Sequence, residues 1–310
     1  MTLAALVIVL GPHIEGEPGW PRPAAAVLVT VGYAAALAAR TGGQVRLTAA
    51  LALALALAGV LAAVPVLTAA AAVSTAALGA VLGVLLTVPA ARFVTAVREC
   101  VIGTVVTLGA ACGALGYDAS LSLLRTGYVV LGLSLLATLV LCYRLAAGLH
   151  GLGTRGLVVV VSAIVLLAVV LAYTEALSRW GSPQLVDDLQ RTTTSLRSRL
   201  GGLPRPVEFL VGFPALAWGV TTRARRRQGW WGVAFGSTGL AVVAVTLMHP
   251  GVSAHEALLG TAYSLLLGVL IGYLVVRADR FLSGERGRRA RRREEAEAHR
   301  PEPGRFEPLL

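Results

Sequence analysis

Lysine and asparagine are both missing from this 310-residue chain. Without a lysine there is no Schiff base to retinal or pyridoxal, which removes rhodopsin-type and related covalent chemistry. Both absent residues use A-rich codons, so the sequence points to a high-GC genome, most simply a bacterial one. Charge is scarce too: 14% of residues are charged, against about 25% in an ordinary soluble domain. The three cysteines, Cys100, Cys112 and Cys142, show no CxxC pairing. They read as small buried hydrophobes and give no redox or metal signal. No polar stretch is long enough to bury a core of its own, which excludes a separate soluble domain. The first twenty residues lack a basic region and a small-residue cleavage site, so they do not read as a typical signal peptide.

What is present is apolar surface. Hydrophobic residues make up 56% of the chain and the mean hydropathy is +0.76. Uncharged runs of a length that crosses a hydrocarbon core of about 30 Å recur throughout. The expected fold class is all-α, a polytopic transmembrane helix bundle, with spans near residues 24–39, 47–64, 69–88, 101–117, 127–143, 156–174, 207–221, 229–248 and 258–276. A short tenth apolar piece, residues 2–10, covers only about 15 Å as a helix. Residues 49–58, "AALALALALA", alternate with period two. Both faces are apolar, however, and a lone strand in lipid would leave its backbone unsatisfied, so helix is expected there as well. The domain expected is residues 1–282, followed by a disordered tail over 283–310 that is first arginine-rich and then acidic.

The positive charge is all arginine, 27 residues of it. Placing the tail in the cytoplasm gives alternate loops Arg40 and Arg46, Arg92 and Arg98, Arg144 and Arg155, then Arg223 and Arg225 to Arg227. The opposite short loops carry Arg22 and Arg125, although the longer connection 178–206 on that side adds five arginines. This predicts a cytoplasmic C-terminal side in the bacterial inner membrane. In "TTRARRRQGWWG", Arg223, Arg225, Arg226 and Arg227 with Trp230 and Trp231 read as membrane anchors, so the expected partners are membrane lipids and not nucleic acid. Residues 182–200 place Leu185, Leu189, Leu196 and Leu200 on one helical face. That stretch reads as an outer amphipathic helix lying on the leaflet or on the protein's own surface. The tail and this helix are the parts that envelope proteins would bind.

The expected span interiors hold no charged residue, which argues against proton coupling through a mid-membrane carboxylate. The nearest acids are Glu175, ending one span, and Glu208, opening the next. That next span, "VEFLVGFPALAWGVT", is short and carries Pro214 with Gly212 beside it. Broken spans of this kind point to transport pathways, so Glu175, Glu208, Gly212 and Pro214 are the pathway candidates. On the outer side, His249, His255 and Glu256 are a candidate zinc or acid–base set, but "HEALLG" lacks the second histidine of HExxH. Ser237 in "GVAFGSTGL" does not have GxSxG spacing, and it reads with the GxxxG pairs as close helix packing. No catalytic signature and no cofactor motif is present. The leading expectation is a permease or lipid translocase, with a non-enzymatic scaffold of envelope machinery and an outer His/Glu metalloenzyme as alternatives.

Overall fold

The computed structural model describes residues 21–62, 64–119, 123–145, 153–180, 183–224, 229–249, 251–282 and 302–309. Among these residues every regular element is helical. In chain order they are α1 (Pro21–Arg40), α2 (Val45–Leu61), α3 (Pro65–Leu85), α4 (Phe93–Leu115), α5 (Leu123–Leu145), α6 (Gly153–Trp180) and α7 (Pro183–Leu200). A π-helical turn (Val207–Gly212) leads into α8 (Phe213–Arg223), followed by α9 (Gly229–Leu247) and α10 (Ala254–Leu282). Proline opens several of them. Pro65 stands at the start of α3, where its missing N–H is one that the helix could not have satisfied anyway.

Six of these helices are long and apolar enough to cross a membrane: α1, α3, α4, α5, α9 and α10. They mark the chain as a multi-pass membrane protein. Nine full spans were expected, more than the six shown among the described residues. α2 has 17 residues, about 25 Å of rise, less than a hydrocarbon core of about 30 Å. α6 has 28 residues and no charge between Arg155 and Glu175, and the apolar stretch described in full within it is Val160–Tyr173. The segment over 207–221 is divided into a six-residue π-turn and an 11-residue helix. The tenth piece, residues 2–10, lies outside the described residues.

α9 is the axis of the bundle. Its 19 residues carry no charge, and α3, α4, α5 and α8 pack around it while α10 covers α8 and the π-turn. Phe235, Leu240, Phe213 and Leu216 are fully buried there. The outward faces of α5 and α10, with Leu136, Val140, Leu266, Leu270 and Leu274, stay apolar and exposed. An apolar surface of this extent requires a lipid or protein cover.

Polar groups gather in two places. At one end lie Arg40, Thr87, Glu99, Arg223 and Trp230, together with the segment 302–309. Midway along α1 and α3 the Thr30 hydroxyl meets both Thr75 Oγ1 and the Tyr117 hydroxyl at 2.7 Å, tying those two helices to the second residue past α4. Burial holds the Tyr117 phenol above its ordinary pKa, so it remains a neutral donor. Among the described residues, α7 meets α10 near its own end, through Arg197 on Glu256 (2.9 Å) and the Tyr263 hydroxyl donating to Leu200 O (3.1 Å). Its last ten residues, 191–200, are exposed, Leu196 and Leu200 included.

Candidate functional site

The π-turn follows from two neighbouring residues. Pro214 has no N–H to give Leu210, and its ring crowds that carbonyl in a regular helix. The register shifts just before it: the Phe213 N–H donates to Glu208 O, five residues back. Single π-turns of this kind are frequent at functional positions. Gly212 allows the turn to sit directly on α9, backbone against backbone, with Gly239 opposite.

This turn carries a fully buried carboxylate. Glu208 Oε1 accepts from Arg205 Nη1 at 2.8 Å, and the Glu208 side chain has no exposed surface. Arg205 is held in turn: its backbone N–H donates to Ser264 Oγ at 2.8 Å and its Nη1 reaches Thr261 Oγ1 at 3.3 Å, both on α10. Glu208 Oε2 is sealed from solvent with no hydrogen-bond donor on it, although Ser264 lies close by. A buried carboxylate with half of its accepting capacity unused is costly unless something else completes it.

Beside the turn is an apolar cleft of about 370 Å³. Val207 of the π-turn, Leu131 of α5, Leu171 of α6 and Val245 of α9 form its walls, with Tyr128 and Thr246 as its polar members. The Tyr128 hydroxyl donates to Glu175 Oε2 at 3.3 Å. The volume falls within the range of small-molecule sites, about 300–1,000 Å³, and the lining is of the usual apolar kind.

No protein-family model, no curated protein and no solved structure matches this chain. The geometry therefore carries the functional argument by itself. Of the four pathway candidates, Glu208, Gly212 and Pro214 come together in one turn, and Glu175 adjoins the cleft through Tyr128. His249, His255 and Glu256 do not form a ligand set. His249 Nδ1 accepts from Gly251 N at 2.7 Å, His255 is exposed, and Glu256 is paired with Arg197. Among the described residues no three His, Cys, Asp or Glu side chains converge as metal ligands would.

Three of the six expected anchors are packed inside the protein. Arg223, Trp230 and Trp231 are all buried, and the Arg223 guanidinium lies 3.5 Å over the Trp230 ring. Arg225, Arg226 and Arg227 lie outside the described residues. A charged residue inside a spanning helix was not expected, yet Glu99 of α4 is fully buried. Its carboxylate accepts both 2.8 Å bonds from Arg305 Nη2, with the Val88 N–H and Arg98 on it as well. The sequence signal for it was Glu99 beside Arg98 at the start of an apolar run. Its main partner lies 206 residues away, beyond the reach of any local pattern.

Proposed function

We infer that this protein is a permease or lipid translocase, with a pathway beside the π-turn and Pro214. The observation that carries this is the apolar cleft of about 370 Å³ next to a broken helix holding a buried carboxylate. Such a site suits an amphiphile: the cleft would take the apolar part, and Tyr128, Glu175 and the Arg205–Glu208 pair would meet the polar part. Each buried methylene would contribute about 0.8 kcal/mol. The arginines at the ends of α1, α5 and α8 favour the side carrying 302–309 as the cytoplasmic one, in a bacterial inner membrane.

The test is to fill the cleft without disturbing the backbone around it. Gly127 has only Val245 Cγ1, at 3.8 Å, near the position of an added Cβ, so Gly127→Phe projects a ring into the space. In proteoliposomes with fluorescent phospholipid, wild-type protein should make inner-leaflet lipid accessible to an external quencher, and Gly127→Phe should abolish most of that. Wild-type vesicles that behave like empty ones would end the lipid reading. A Gly127→Phe protein that moves lipid at the wild-type rate would separate the pathway from the cleft.

A further inference from the structure

The opposite end of the bundle holds a second site, independent of the cleft. Two buried arginines meet there: Arg40 at the end of α1 and Arg223 at the end of α8, exposed by 2% and 5% and close enough to feel each other's charge. The segment 302–309 lies across them. Arg40 Nε donates to Leu85 O at 3.0 Å, and Nη1 donates to the carbonyls of Gly304 and Glu307. Arg223 donates to Thr87 and pairs with the Glu302 carboxylate. Leu309 returns a backbone bond to Arg40 O at 2.8 Å and packs its side chain beside Trp230. Arg305 is matched by Glu99.

That leaves two buried cations with one carboxylate hydrogen-bonded to them, the Glu307 carboxylate reaching Arg40 through its charge alone. Glu307, the segment's other acid, is exposed and turned back onto the Gly304 N–H at 2.8 Å. Arg40 Nη2 is buried with no acceptor. The segment therefore leaves the two cations short of a second bonded anionic group and leaves a guanidinium N–H without its bond. A compact dianion would supply both, and paired guanidinium groups match phosphate oxygens in charge and fork geometry.

We propose that Arg40 and Arg223 form a binding site for a phosphate monoester group, and that residues 302–309 occupy it as a tethered competitor whose Glu302 carboxylate stands in for the phosphate. The ligand is a phosphomonoester from either of two sources, a soluble metabolite or a lipid headgroup. Binding displaces the segment and frees it from the face of the bundle. Competition from a tethered group weakens apparent affinity by its effective concentration, so removing the Glu302 charge sharpens binding.

The experiment uses the full-length chain in nanodiscs with a fluorophore on Phe306→Cys, an exposed position, in a Cys112→Ala background. Cys100 and Cys142 are buried and stay unlabelled. Trp230 emission, isolated by subtracting a Trp230→Phe sample, reports on Arg223 stacked over its ring. Inorganic phosphate is titrated into phosphatidylcholine discs at constant ionic strength, and in parallel phosphatidic acid is raised within the discs. Either probe should shift both signals, with the midpoint falling by roughly tenfold in Glu302→Gln and the response lost in Arg40→Gln. A response to inorganic phosphate identifies a soluble source, and a response to phosphatidic acid alone identifies a headgroup. The proposal is overturned if neither probe moves the signals in wild type or Glu302→Gln, or if chloride at matched ionic strength does as well. A full response in Arg40→Gln overturns it too; should that variant not fold, the Glu302→Gln midpoint decides.

Discussion

Gly239 of α9 and Gly212 of the π-turn face each other where the broken span meets the bundle axis. A Cβ added to Gly239 would stand 2.8 Å from Gly212 Cα, 3.4 Å from its carbonyl carbon and 3.5 Å from Phe213 N. Carbon atoms in contact prefer about 3.5–4.0 Å, so the closest approach falls short by roughly 1 Å. All three neighbours are backbone atoms, and no change of rotamer relieves them. Either α9 or the π-turn must retreat, with the usual cost of overpacking, about 1–3 kcal/mol. Alanine returns roughly 0.5–1 kcal/mol through its helix preference, so Gly239→Ala should destabilise by about 1–2 kcal/mol net. Gly132 of α5 is the control, because nothing lies within 4 Å of its added Cβ. Gly132→Ala should be neutral, or more stable by up to about 1 kcal/mol. Equilibrium unfolding in mixed micelles, followed by tryptophan emission, measures both. Equal stability of the two variants would refute the close seat of the π-turn on α9 and with it the account of why this span is broken.

Two further outcomes follow from the polar contacts. Tyr117→Phe removes one arm of the Thr30 hub and should cost about 1 kcal/mol in the same unfolding assay; no change would mean that water replaces the phenol without loss. Glu208→Gln keeps the shape of the buried side chain but removes its charge, while Arg205 retains Thr261 and some access to solvent. A loss of about 1–3 kcal/mol is expected, read as a lower thermal midpoint, and a midpoint at or above wild type would show that the ion pair adds nothing to stability.

The sequence made the membrane character plain, because uncharged runs of such length, recurring along a whole chain, are soluble in lipid and not in water. It also located the break at Pro214 and the acid beside it, since proline acts on the backbone locally and the effect is visible in a short window. Span count was less legible. A hydropathy run such as residues 47–64 does not reveal that the helix stops at Leu61, four residues ahead of Pro65. Burial of charge was the least legible. Glu99 drew no expectation and Arg223 read as a membrane anchor, and their partners, Arg305 and Glu302, sit in a segment whose composition reads as solvated tail. Such pairs depend on chain return, which no periodicity records. The burial of Arg223, Trp230 and Trp231 was hidden for the same reason: arginine beside tryptophan looks alike whether the two face headgroups or stack on each other.

The long return of residues 302–309 also orders events during synthesis. Arg223 precedes Glu302 by 79 residues, Glu99 precedes Arg305 by 206, and Arg40 precedes Gly304 by 264. At about 5–20 residues per second, Glu99 waits roughly 10–40 s on the ribosome before Arg305 exists. Through that interval the helices are made while three buried charged groups hold only their contacts to the helices and the turns between them. Until residues 302–309 are made, these groups lack the counter-charges and acceptors that the segment brings. Stalled or truncated chains would differ from finished ones at that single end, where a protease or insertion factor could tell them apart.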